Sequence, residues 1–95
     1  MSTLTSSELR RAVALLEAGD WRAAHEIVQR DEATALACWA HGIVHIMEED
    51  LPNARYWYRQ AQRTFPTVIS APAEIALLKN ALRPPTAGSS GEGRR

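Results

Sequence analysis

The chain has 95 residues, and its eleven Lys and Arg against eleven Asp and Glu exclude a general electrostatic pull toward nucleic acid or an anionic membrane. A single cysteine excludes an internal disulfide, and the length allows one domain with a modest core. Met1 to Arg11 lacks the apolar run of a secretion signal, so a cytoplasmic protein is expected, with partners chosen by local patches.

The first predicted helix runs from Thr5 to Gly19, because Leu9, Ala12, Val13 and Leu16 recur at helical spacing and make one apolar stripe. Thr5 and Glu8 fit a capping box, and Leu4 can staple onto Leu9. Gly19 suits the left-handed residue that closes a helix, after which Asp20 can cap the next one. The second helix is expected from Trp21 to about Arg30, with Trp21, Ala24, Ile27 and Val28 inward and His25 at the boundary of its wet face. Asp31 or Glu32 then supplies the cap of the third.

That third helix, Ala33 to Met47, contains no Asp, Glu, Lys or Arg. A helix apolar nearly all round must be enclosed on more than one side, so it is the expected centre of the fold. At about 22 Å it is too short to cross a bilayer core. Leu36, Trp39, Ile43, Ile46 and Met47 share one broad face, and Cys38, His41 and His45 fall on the other. Glu48, Glu49 and Asp50 sit unfavourably at the negative end of the helix dipole, so the helix should stop by Glu49, with Asp50 capping its successor.

The fourth helix is expected from Leu51 to about Arg63, with Pro52 in its first turn and Ala54, Trp57, Tyr58 and Ala61 inward. Arg55, Arg59 and Arg63 recur every fourth residue on another side, beside Tyr56, the aromatic expected to be exposed. Ser70 can cap a fifth helix opened by Pro72, with Ile75, Leu78 and Leu82 as its stripe. From Pro84 to Arg95 the composition turns to Thr, Ala, Gly, Ser, Glu and Arg, which reads as a disordered tail.

Two helical hairpins are visible, and their turns align: Gly19-Asp20-Trp21-Arg22-Ala23-Ala24 against Glu49-Asp50-Leu51-Pro52-Asn53-Ala54. In the second unit Gly42, Ala54, Tyr58, Ala61 and Pro66 reproduce a spacing of small, small, aromatic, small and proline. Over Leu9 to Pro66 the chain resembles the tetratricopeptide repeat. The resemblance implies stacked hairpins that bind a protein or peptide. About three repeats are usually needed for a closed core, so an apolar edge should remain and a homodimer is expected. Cys38, His41 and His45 depart from the repeat, standing where its first helix carries aromatic and apolar residues. Trp39, His41 and His45, followed by Asn53-Ala-Arg-Tyr-Trp-Tyr-Arg59, are similar to small uncharacterised bacterial proteins, which implies a bacterial origin and no particular activity.

Three chemistries compete for the polar residues. Cys38, His41 and His45 at i, i+3 and i+7, with His25 from the preceding helix, could hold zinc or copper. Because i to i+7 spans about 10 Å, His25, His41 and His45 are the set better able to meet one ion. A purely structural reading instead makes the histidines hydrogen-bonded interior groups and Cys38 a small hydrophobe. Acid–base catalysis would need Glu26 or Glu48 to orient an imidazole, and no nucleophile elbow, phosphate-binding loop, HExxH string or paired-cysteine motif accompanies it. Arg55, Tyr56, Arg59 and Arg63 suggest a docking face for an acidic or phosphorylated partner, against a plain solvated face.

The sequence therefore predicts an all-α protein of five helices over residues 1–83. Its expected role is a non-catalytic scaffold or adaptor module without a cofactor, binding protein or peptide and neither nucleic acid nor membrane. The alternative is a metal-binding or acid–base site on the central helix.

Overall fold

Five helices form among the described residues: α1 (Ser6–Glu17), α2 (Trp21–Val28), α3 (Ala35–Met47), α4 (Leu51–Gln60) and α5 (Ala71–Ala81). The computed structural model describes residues 3–83, among which no strand occurs, and the tail expected over residues 84–95 lies outside them. No helix among the described residues is long and apolar enough to cross a membrane.

The start of α1 follows from its first residues. Thr5 is extended, its hydroxyl accepts the Glu8 N–H at 3.0 Å, and the Glu8 carboxylate accepts the Thr5 N–H at 2.9 Å. Leu4, just ahead of the cap, is buried with Leu9 and Ala37 in a small satellite of the core, as a staple requires.

The two hairpin turns share one backbone solution. After α1, Gly19 adopts φ +84°, and the N–H groups of Gly19 and Asp20 donate to the carbonyls of Leu16 and Leu15 at 3.0 and 2.8 Å. After α3, Glu49 adopts φ +67°, and Glu49 and Asp50 donate to Ile46 and His45 at 3.0 and 2.9 Å. In each turn the following Asp accepts an N–H of the next helix, Asp20 from Ala23 at 3.2 Å and Asp50 from Asn53 at 3.4 Å. Both are left-handed closures that satisfy the last carbonyls of one helix and hand the chain to the next.

Between the hairpins the helices are shorter than their sequence pattern suggests, ending at Val28 and restarting at Ala35. Asp31 is the cause. Its carboxylate is 1% exposed, accepts the Ala33 and Thr34 N–H groups on Oδ1 at 3.1 and 3.0 Å, and accepts the Leu4 N–H on Oδ2 at 3.0 Å. Those bonds hold residues 31–34 in a turn and tie the start of the chain to the α2–α3 connection. Thr34 occupies the cap position of α3 but makes no side-chain capping bond.

Every residue from Ala37 to Ile46 is buried, and α3 packs against each of the other four helices. Its closest neighbour is α4. Gly42 lies against the wholly buried Tyr58, so that a Cβ there would stand 2.5 Å from Tyr58 Cδ1. The absence of a side chain at residue 42 is what permits this approach. α4 stops at Gln60, short of the expected Arg63, because Gln62 takes φ +60° and the Arg63 N–H returns to the Tyr58 carbonyl at 3.0 Å.

α5 is capped by Ser70, whose hydroxyl accepts the Ala73 N–H at 3.3 Å, and lies against α1 and α3. It brings in the buried carboxylate of Glu74. One oxygen of that group accepts both the Trp39 indole N–H at 3.1 Å and the Tyr58 hydroxyl at 2.6 Å, joining α3, α4 and α5 at a single atom. Burial and this bond to Glu74 push the Tyr58 phenol far above its ordinary range.

Candidate functional site

The i, i+4 pair His41 and His45 projects from one side of α3 toward α2, where His25 meets it. The ring centroids are 4.8 Å apart for His25 and His41, 5.5 Å for His25 and His45, and 5.0 Å for His41 and His45. One nitrogen from each ring lies within 4.8 Å of the other two. His41 and His45 are buried, whereas His25 is partly exposed, so the cluster opens to solvent on the α2 side. Cys38 is buried on the same helix, and its sulfur does not join this group.

Two of the three rings have defined supports. Trp57 of α4 stacks on His41 at 3.9 Å between centroids and 10° between planes, which fixes the plane of that imidazole. His45 Nδ1 pairs with Glu48 Oε1 at 2.7 Å. Glu48, not Glu26, is therefore the carboxylate that bonds the cluster, and Asp50 stands next to the His45 and Glu48 pair. His41 Nδ1 is enclosed and has no hydrogen-bond partner. Leaving such a buried polar atom unpaired costs about 1–3 kcal/mol, and the hydrogen bond that a structural reading expects forms at His45 Nδ1 but not at this nitrogen.

Burial sets the charge of the site. Desolvation, then repulsion from His25 and His45, lowers His41 to about 3. His25 is lowered too, by burial first and His45 second. Burial and the nearby Asp31 and Glu32 raise the Cys38 thiol, which keeps it protonated and a poor nucleophile or ligand. The arrangement brings three imidazole rings together with nitrogens close enough to act as ligands of one ion.

On the other side of α4, the arginine stripe is held by aromatic rings. The Arg63 guanidinium lies over the Trp39 ring at 3.4 Å, and that of Arg55 over Phe65 at 5.0 Å. Among the described residues no carboxylate is within ion-pair distance of Arg55, Arg59 or Arg63. Tyr56 beside them is 44% exposed. Arg63 reaches this surface from beyond the helix end, so the three guanidinium groups are not one continuous helical row.

Three participants escaped the sequence pattern. Trp57 reads as core, yet its ring is the support of His41. Glu74, in the first turn of α5, carries no sequence sign of its role, and Asp31 reads as one of two possible caps. The partners of Glu74 lie 16 and 35 residues away, and one of the three of Asp31, Leu4, lies 27 residues away, so no local signal announces those contacts.

A groove of about 750 Å³ runs between α1 and α5, with Leu16, Met47 and Ile75 in its walls and the Glu17 and Lys79 pair at its edge. None of the candidate site residues lines it. Comparison with known proteins returned nothing: no family model, no curated protein and no solved structure matches the chain.

Proposed function

We propose that the protein is a small non-catalytic interaction module that presents the arginine side of α4 to an acidic segment of a partner protein. The observation that carries this reading is the set of guanidinium groups at Arg55, Arg59 and Arg63, which have no carboxylate within ion-pair reach among the described residues. Stacking on Phe65 and Trp39 holds two of them in place. A guanidinium already held in place loses less freedom on pairing with a carboxylate, and its fork geometry selects planar oxyanions. Exposed Tyr56 adds a rigid aromatic contact of the kind enriched at interfaces. The repeated turn geometry at Gly19-Asp20 and Glu49-Asp50 supports a tetratricopeptide-like origin for the two hairpins.

The same reading places the protein in a bacterial cytoplasm as a homodimer, with self-association resting on exposed apolar residues such as Val68, Ile69 and Leu77. Light scattering at micromolar concentration checks the dimer, and a monomer there contradicts it.

Binding is tested with a fluorescent Glu-rich peptide and its Gln-for-Glu counterpart, measured by anisotropy at two salt concentrations. The Glu peptide should bind, weaken as salt screens the contact, and lose about tenfold or more in affinity when Arg55→Glu and Arg59→Glu are combined. Equal binding of both peptides, or an unchanged affinity in the double variant, rejects the proposal.

A further inference from the structure

We infer that His25, His41 and His45 form a binding site for one divalent first-row transition metal ion, zinc being the ion that the donor set fits best. This site is separate from the α4 surface proposed above and stands or falls without it.

The geometry is close to what an ion requires. Three imidazoles from two helices have nitrogens within 4.8 Å of one another. Metal–nitrogen bonds of about 2.0–2.1 Å in a tetrahedron place ligand nitrogens roughly 3.4 Å apart. The remaining contraction is within reach of side-chain rotation, above all at His25, which is partly exposed and not held by the core. The other two rings are preset, His41 by the parallel face of Trp57 and His45 by its bond to Glu48. A carboxylate on the second nitrogen of a ligating histidine fixes the ring and raises its basicity, and Glu48 stands in that relation to His45 Nε2.

The enclosed, unpartnered Nδ1 of His41 is a second and independent observation. Buried imidazole nitrogens are normally paired, and this one, on a ring packed against two further imidazoles, has no partner. An ion bound by this ring would give the imidazole a polar partner that the protein itself does not supply. Glu48 and Asp50 on the His45 side add negative charge nearby, which favours a cation over an anion in the same space.

Donor chemistry narrows the ion. The buried Cys38 sulfur lies outside the group, so the soft ligand that would select copper(I) is missing, and imidazole alone suits zinc, copper(II) and nickel(II). Three protein ligands with a solvent-facing fourth position are a common arrangement for zinc, which imposes no geometry of its own.

The test uses the full chain without an affinity tag, stripped with chelator and titrated with Zn²⁺ against a chromophoric competitor at neutral pH. One equivalent should bind with a dissociation constant below about 10 μM. Replacing His41 opens space under Trp57 and can unfold the protein, so His25→Gln, at the partly exposed position, is the decisive variant, with its helical content checked by circular dichroism. It should keep the fold and lose about 100-fold in Zn²⁺ affinity. Co²⁺ in place of Zn²⁺ should give the intense visible bands of a tetrahedral centre in the parent chain, absent from His25→Gln. Failure to bind one equivalent of Zn²⁺, or equal affinity in the parent and His25→Gln, overturns the site.

Discussion

Gly42 of α3 sits under the ring of Tyr58 of α4, so closely that an added Cβ would meet Cδ1 at 2.5 Å and Cε1 at 2.7 Å. The ring cannot yield, because Tyr58 is fully buried and its hydroxyl is tied to Glu74. Gly42→Ala should therefore destabilise the fold by about 1–3 kcal/mol despite alanine's better helix propensity. Urea denaturation checks this, and a stabilised variant would mean that α3 and α4 can move apart.

Glu74 makes a second long-range prediction. Tyr58→Phe removes one of the two donors to its buried oxygen and should cost about 1.5–3 kcal/mol. In a Glu74→Leu background the same substitution should cost much less, since the acceptor is gone. Equal costs in the two backgrounds would show that the bond contributes nothing to holding α5.

Asp31 gives a pH dependence with a definite sign. Burial raises its pKa, but bonds from Thr34, Leu4 and Ala33 outweigh that and bring it from 3.8 down to about 2. The stability it contributes is complete above the unfolded value and disappears as pH falls from 3.8 toward 2, about 2 kcal/mol in all. Asp31→Asn should be destabilised by a similar amount at pH 7, because an amide offers one acceptor oxygen where two are used. Across that acid window its stability should fall less steeply than the parent's in urea titrations at stepped pH.

The hairpin turns predict substitutions of opposite sign. Glu49 holds φ +67° with a side chain, at the negative end of α3. Glu49→Gly should stabilise by about 0.5–1 kcal/mol, and Gly19→Ala, at φ +84° in open space, should cost about 1 kcal/mol. Thermal melts of the two variants should move in opposite directions.

These cases mark the reach of the sequence. Thr5 with Glu8, Gly19 with Asp20, Asp50 with Pro52 and Ser70 with Pro72 announce their turns because capping is decided within a few residues. The uncharged run around Ile43 likewise announces a helix that others enclose. The end of α2, the start of α3 and the end of α4 differ from the apolar pattern, which continues where Asp31 and the left-handed Gln62 interrupt the helices. At the histidine cluster, periodicity alone pairs His41 with His45. The i to i+7 span already favours His25 over Cys38 as the third member, whereas the stacking of Trp57 depends on how α4 packs, which no local pattern encodes. The four-residue spacing puts Arg63 in a helical row, but it lies over Trp39 from beyond the end of α4.

The proposed function is tested most directly by following the arginine side-chain Nε–H resonances while the Glu-rich peptide is added. The account predicts saturable shifts of Arg55, Arg59 and Arg63, accompanied by the Tyr56 ring, with Arg10 and Arg83 beside the α1–α5 groove unmoved. Shifts confined to that groove, with the α4 arginines silent, would contradict it.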